Sequence, residues 1–258
     1  EYICVSWTHK LLINMNKTLI LIPSRLSAKR LPNKPLLKLK GTSIISHVYK
    51  NALNTKIGEV YVATEDKEIQ EDIINNNGKA ILTGKDHKSG TDRIFEAFRK
   101  INLKGIDYIL NLQGDEPILN SNDIIKLNEV VTKSNFDMGT LCCNLKNNTD
   151  LLNENIVKVR TEVTLNKDNS SRAIDFFRKS KNENTTNLYH HLGIYIYKVK
   201  VLEKIVTLKQ TNNEKKNKLE QLRALENDVN IHTILAQKCS IGVDTEEDYL
   251  RIKKIMEK

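Results

Sequence analysis

Lys17-Thr-Leu-Ile-Leu-Ile-Pro-Ser-Arg-Leu-Ser-Ala-Lys-Arg-Leu-Pro-Asn-Lys-Pro35 joins an apolar run to a basic, proline-bearing loop. Lys17 to Ile22 is a short apolar run of the kind a buried strand carries. After Pro23 the chain turns polar and holds four cations, Arg25, Lys29, Arg30 and Lys34, before a helical pattern begins at Ser43. A loop joining a first strand to a first helix lies at the carboxyl edge of an open α/β sheet, where such folds bind ligands. Pro32 and Pro35 stiffen it, so its cations are held rather than floppy. Cations fixed this way suit a polyphosphate, whose charge is otherwise costly to bring into a cleft. A solvated basic loop would have the same composition, and the strand–loop–helix context favours the ligand.

Outward from this stretch the pattern alternates. Helical stripes at Ser43–Leu53, Asp66–Asn76, Gly90–Ile101 and Ser121–Thr132 separate strand-like runs at Glu59–Thr64, Ala80–Leu82 and Tyr108–Leu112. Gly78 reads as a helix C-cap, and Ser121 and Asn122 as N-caps. This rhythm predicts an α/β fold with a mostly parallel, Rossmann-like sheet flanked by helices. After Met138 it changes: 138–145, 156–165, 171–178 and 190–197 read as strands of a smaller antiparallel lobe, suited to pairing two chains. Helices over 201–208 and 214–226, a strand over 229–235, a short strand over 240–243 and a helix from Thr245 follow. The expected organisation is one domain over 15–258, with a nucleotide-binding half (15–137), the antiparallel lobe (138–200) and a closing segment (201–258). Met15 reads as the natural start, and residues 1–14 as a dispensable extension outside the fold.

The 258-residue chain is 39% hydrophobic and 28% charged, ordinary for a globular enzyme with a full core. Its net charge of +9 comes from Lys spread through every helix, interleaved with acids, without an aromatic–Arg platform, so nucleic acid is not the expected partner. No apolar run approaches the roughly 18 residues that span a bilayer. The four cysteines, Cys4, Cys142, Cys143 and Cys239, show neither a Cys-x-x-Cys pair nor disulfide-like spacing, and are expected as thiols. His190–His191 has no third ligand at a spacing that suggests zinc. His47, alone on its helix, is expected to be structural.

Two acidic turns bear on chemistry. Leu110-Asn-Leu-Gln-Gly-Asp-Glu-Pro117 ends an apolar strand with Asp115 at the sheet's carboxyl edge, on the rim of the basic loop. Ser240-Ile-Gly-Val-Asp-Thr245 repeats the arrangement with Asp244. Mg²⁺ takes one or two carboxylates plus substrate phosphate oxygens, so two aspartates from separate strand ends could share it. Thr245 and Asp248 also make a capping box, to whose turn Asp244 belongs. His87, Ser89 and Gly90 offer small donors and a backbone approach suited to a base or ribose, or simply an N-cap. In 190–197, His191, Gly193 and Tyr195 share one strand face and could line a sugar pocket. Glu220 and Gln221 fall off a leucine stripe and could reach a hydroxylated ligand.

Together these segments resemble one family, the 3-deoxy-manno-octulosonate cytidylyltransferases. The resemblance runs from about Lys17 to the C-terminus. It rests on Pro23-Ser-Arg25, Arg30-Leu-Pro-Asn-Lys-Pro-Leu36, His87-Lys-Ser-Gly-Thr-Asp-Arg93, Gln113-Gly-Asp-Glu-Pro117, His191-Leu-Gly-Ile-Tyr195, Leu219-Glu-Gln-Leu-Arg-Ala-Leu225 and Gly242-Val-Asp-Thr245, in the family's order. It implies a nucleotidyltransferase-type fold and an enzyme that activates 3-deoxy-D-manno-octulosonate (Kdo) with CTP for lipopolysaccharide synthesis. It further implies a homodimer in the bacterial cytoplasm with Mg²⁺ as cofactor. Arg25 and Lys34 match the family's phosphate-loop cations, and Asp115 and Asp244 its magnesium aspartates. Ser89 and Gly90 fall near the cytidine, and Ser24, Arg30, His87 and Gln113 complete the implied nucleotide site. Arg172, His191, Tyr195, Glu220 and Gln221 fall where the family contacts the sugar acid. Asn33 stands where the family commonly has Gly, and Asn tolerates the positive φ such a turn needs. A related acidic sugar, or a non-catalytic basic binding protein on the same fold, remain the alternative readings.

Overall fold

The computed structural model describes residues 17–257 apart from 28–29, 147 and 180–184. The 1–14 extension with Met15, Lys29 and part of the Asn-rich 181–187 segment therefore lie outside the described residues. The chain runs β1 (Thr18–Ser24), a 3-10 turn (Lys34–Leu36), the hairpin β2 (Lys38–Leu39) and β3 (Thr42–Ser43), then α1 (Ile44–Asn54). There follow β4 (Val60–Thr64), α2 (Lys67–Asn75), β5 (Ala80–Leu82), α3 (Gly90–Ile101), β6 (Tyr108–Asn111), α4 (Ser121–Lys133) and β7 (Met138–Cys143). After α5 (Asn148–Leu152) come β8 (Lys158–Thr161), β9 (Ser170–Phe177), β10 (Leu188–Lys198) and α6 (Val199–Thr207). The chain closes with α7 (Asn212–Asn217), α8 (Gln221–Leu225), β11 (Ile231–Leu235) and α9 (Glu246–Glu257).

Among the described residues nine strands form one mixed sheet in the order β5-β4-β1-β6-β10-β7-β11-β9-β8. β1 lies between β4 and β6, parallel to both. Leu19 and Leu21 face one side, Ile20 and Ile22 the other, and none is exposed. A strand covered on both faces reads as a continuous apolar run, which is why the sequence showed no alternation there. Each such side chain contributes roughly 1.5–3 kcal/mol on burial. One face is covered by α1, α2 and α4 and the other by α3, α6 and α8, judged by the two large buried clusters.

The antiparallel section is present and joins the parallel half through β10, which pairs antiparallel with β6, β7 and β8. β11, from the last segment of the chain, lies between β7 and β9, parallel to β7. The pairings β10–β7–β11–β9–β8 return to β10 and close a ring of strands.

Several local expectations need correction. The N-cap of α4 is Asn120, whose side chain accepts from Asn122 N at 2.9 Å, rather than Ser121 or Asn122. After α2 it is Asn77 that takes the left-handed conformation (φ 60°), while Gly78 N–H bonds Ile73 O at 2.8 Å. The helix expected over 214–226 is two helices broken at Lys218 (φ 53°), because Arg223 folds back to grip buried Glu214 through two bonds of 2.5 and 2.9 Å. Residues 240–243 are not a strand; they run beside the Asp115 turn, tied by Val243 N–H to Asp115 O at 2.9 Å. Cys143 and Cys239 are joined as a disulfide rather than free, with Cα atoms 5.4 Å apart, while Cys142 is a buried thiol and Cys4 lies outside the described residues. A separation of 96 residues leaves no pairing signal in the sequence; the β7–β11 pairing brings the two together. His47 is structural as expected, bonded to Leu39 O at 2.7 Å.

Candidate active site

The carboxyl ends of β1 and β6 open into a cavity of about 300 Å³. Its floor needs a residue without a side chain: a Cβ on Gly114 would lie 2.8 Å from Pro23 O, so the turn after β6 can cross the end of β1 only as glycine. The basic loop forms one wall. Asn33 takes the left-handed conformation (φ 54°) expected of it, and the following 3-10 turn aims Lys34 inward.

Lys34 Nζ donates to Asp115 Oδ2 at 2.6 Å and to Asp244 Oδ1 at 3.1 Å. The two acidic turns, far apart in the chain, therefore converge on one cation. Arg30 adds a bond of 3.2 Å to Asp244 from a more exposed position. Burial would lower the Lys34 pKa, but the two carboxylates outweigh it and raise it, so the ammonium is charged at neutral pH. The capping box is also real: Asp248 Oδ2 accepts from Thr245 N at 2.9 Å and Thr245 Oγ1 accepts from Asp248 N at 3.2 Å. The cap sets the start of α9 and leaves the Asp244 side chain free to turn to Lys34.

Two buried polar groups at or beside the cavity escaped the sequence reading. Glu116, beside Asp115, is 9% exposed with Oε2 unpartnered. Burial and the neighbouring Asp115 and Asp244 charges push its pKa up to about 7 against a hydrogen bond from Ser240. Arg93 is 3% exposed at the pocket wall, donating to Thr83 Oγ1 at 2.6 Å and pairing with Glu65. The available signal was a lone Arg beside Ile94 on the inward stripe of α3. For Glu116 no signal separated it from Asp115.

The opposite wall is the N-terminus of α3. Ser89 both lines the cavity and caps the helix, its Oγ accepting from Asp92 N at 3.1 Å. Gly90 packs on Pro23, where a Cβ would approach the ring at 3.3 Å. His87 bonds Glu96, which also accepts from Lys100 and Gly84 N–H; although burial opposes it, these bonds hold the Glu96 carboxyl down to about 2. Ser24, with its buried Oγ unpartnered, Arg25 and Gln113 complete the lining. Of the expected nucleotide set, Ser24, Arg25, Lys34, His87, Ser89, Gly90, Gln113 and Asp115 line this cavity, while Arg30 stays outside the lining, exposed and paired with Asp244.

The sugar set divides. In β10 the register against β7 skips between Leu192 and Tyr195. Two extra residues preserve parity, so His191, Gly193 and Tyr195 keep one face as expected. The skipped carbonyls find donors: Gln113 Nε2 bonds Gly193 O at 2.8 Å, and Thr140 Oγ1 lies 2.8 Å from Ile194 O and 3.0 Å from His191 Nε2. The strand irregularity thus fixes both Gln113 and His191. Burial drives the His191 pKa down to about 3, so the ring is neutral. Tyr195 lies beside it, 5.5 Å between centroids, its hydroxyl raised by burial and by the nearby Tyr197 and Glu220. Glu220 borders a second hollow that shares Ser89 with the first; its Oε1 is buried and without a hydrogen bond, and burial raises its pKa. Lys88, Lys215 and Lys218 rim that hollow. Gln221 is buried at the start of α8. Arg172 is not brought to these residues: it sits on the other face of β9, half exposed and 3.8 Å from Glu162.

Comparisons with known proteins give the family and the fold. The cytidylyltransferase family model matches residues 19–231. A 3-deoxy-manno-octulosonate cytidylyltransferase of Thermodesulfovibrio yellowstonii is 40% identical over 241 residues, covering 90% of this chain and 94% of its own. One from Rickettsia typhi is 40% identical over 230 residues, covering 89% and 92%. Among solved structures, a CMP:2-keto-3-deoxy-manno-octonic acid synthetase complexed with CTP is 33% identical, with a TM-score of 0.84 over 94% of this chain and 99% of its own. A UDP-glucose pyrophosphorylase complexed with UDP-glucose is 14% identical at a TM-score of 0.72 and shares the fold.

Proposed function

This chain belongs to the 3-deoxy-manno-octulosonate cytidylyltransferase family, and from that premise we propose how its pocket works. The enzyme transfers CMP from CTP to the anomeric hydroxyl of Kdo, giving CMP-Kdo and pyrophosphate, a step of lipopolysaccharide synthesis. The observation that carries the assignment of roles is the meeting of Asp115 and Asp244 on one cation at the cavity floor.

The donor chemistry of that floor fits Mg²⁺: two carboxylates of hard oxygen, already drawn toward a single positive charge, with room for phosphate oxygens beside them. Asp115 and Asp244 would hold the ion. When bound it would neutralise charge at the α-phosphate and lower the pKa of the attacking hydroxyl. The remaining work falls to the chain's own groups. Lys34 and Arg25 would stabilise the charge gathering on pyrophosphate as it leaves in an in-line displacement. Ser24, Ser89, His87, Gly90 and Gln113 border the space for the nucleoside, with Gln113 kept in place by Gly193 O. His191, Tyr195, Glu220 and Gln221 are assigned to the sugar side, where Glu220 lines the second hollow. Because His191 is neutral it serves as a hydrogen-bonding partner rather than a counter-charge, and the lysines rimming the second hollow supply the charge an acidic sugar needs. Arg172 joins this set only if a second chain brings it, and the homodimer is part of the same reading. So is the cytoplasm, where CTP is held.

Incubation with CTP, Mg²⁺ and a panel of sugar acids, read as pyrophosphate release, tests the assignment. Kdo should be the best acceptor by about tenfold or more, since a site built to pair a substrate's polar groups rejects analogues that leave them unpaired. A nonulosonate or amino-Kdo that outperforms it would reassign the sugar, and no release with any acid would remove the enzyme reading.

A further inference from the structure

We propose that Cys143 and Cys239 are a reversible thiol–disulfide site that fixes the segment bearing Asp244, and so sets turnover. Cys143 is the last residue of β7 and is 2% exposed. Cys239 is partly exposed in the connection between β11 and α9, five residues before Asp244. That connection leaves the sheet at Ala236, bonded to Cys142 O at 2.8 Å, and at Gln237, bonded to Asp123 at 2.8 Å. It rejoins the floor where Val243 N–H meets Asp115 O at 2.9 Å. Between these anchors the covalent bond ties the segment to the rigid end of β7. The inference rests on the role given to Asp244 above.

The surroundings suit exchange. His190 is held opposite Cys143 by the β10–β7 register, and its ring nitrogen and the two sulfurs lie within 4.8 Å of one another. Burial lowers the His190 pKa and keeps the imidazole neutral, so its lone pair can take a thiol proton as a weaker base than a solvated histidine. The more accessible Cys239 meets a small reagent first. In oxidation its thiolate attacks a low-molecular-weight disulfide, releasing one small thiol and forming a mixed disulfide. Cys143, its proton passed to His190, then attacks Cys239 Sγ and releases the second small thiol. Two electrons pass from the protein dithiol to the small disulfide, and reduction by two small thiols reverses the sequence.

The experiment equilibrates the full chain in reduced and oxidised glutathione at graded ratios. The Cys143–Cys239 bond is counted by alkylation and mass spectrometry, with amide exchange of 236–244 and pyrophosphate release read on the same samples. The bond should form reversibly, protect 238–242 from exchange and raise turnover about tenfold, less than the hundredfold a 1 Å misplacement can cost. Cys239→Ser should stay at the low level at every ratio, and Cys142→Ser should respond like the parent chain. Absence of the bond at every ratio would overturn the proposal, as would equal exchange in both states. Protection without any change in turnover would overturn the coupling to activity and count against Asp244 itself, whereas loss of all activity in Asp244→Asn with an intact exchange response would count for that role alone.

Discussion

Lys34 links the basic loop to both acidic turns. Its ammonium occupies the point between two carboxylates, and those carboxylates keep it charged. Lys34→Met should cut turnover about a hundredfold, the scale on which one charge-stabilising donor acts, while KM for CTP changes little. Steady-state kinetics check this; a rise in KM with unchanged kcat would mean Lys34 binds the ground state only. His191 carries a pH signature. Its folded pKa is depressed from 6.5 to about 3, so the fold favours the neutral ring. The associated stability is fully present above pH 6.5 and is lost as pH falls toward 3, by up to about 5 kcal/mol at 1.36 kcal/mol per unit. Urea unfolding between pH 7.5 and 4 should therefore show a slope that flattens in His191→Gln; an unchanged slope would place the acid sensitivity elsewhere. Lys34 and the two aspartates were legible because charge in a turn is a local property, whereas the left-handed turn at Asn33 was expected from the family's Gly at that place. Arg172 was carried by resemblance alone, and strand parity turns it away from the pocket.

Elements decide how accurately those residues meet. The crossing of the β6 turn over β1 depends on Gly114. Gly114→Ala should cost about 1–3 kcal/mol of stability, as overpacking does, and move Asp115 enough to lower activity. Thermal melting and pyrophosphate release measure both, and an active variant with an unchanged melting temperature would contradict this account of the floor. Most strands and helices were visible in the sequence, and Gly90–Ile101 was located to the residue, since its cap and apolar stripe agree. Three features were not. The break at Lys218 follows from a buried ion pair between residues nine apart, and a local helical pattern cannot contain it. The two-residue skip in β10 is set by Thr140 and Gln113, which reach it from other strands or turns. The Cys143–Cys239 bond depends on β11 lying beside β7.

For the whole molecule, the decisive fact is that a strand from the end of the chain enters the middle of the sheet. β11 beside β7 delivers the 236–244 connection to the carboxyl edge, where β1 and β6 already present the basic loop and Asp115. Sequence alone placed an acid at the end of each of two strands, where the pair could share an ion, but not this interleaving, because long-range strand order leaves no mark in local composition. The same geometry predicts that chelation of divalent metal stops pyrophosphate release and that added Mg²⁺ restores it, without loss of the folded sheet by circular dichroism; activity persisting in excess chelator would exclude a required ion. The claim that Asp115 and Asp244 act as one unit is tested most directly by the cycle of Asp115→Asn, Asp244→Asn and the double variant, measured as kcat/KM. Each single change should cost on the order of 10³, and the double little more, because groups that act together are lost together. Near-parental turnover in either single variant, or losses that multiply in the double, would contradict it.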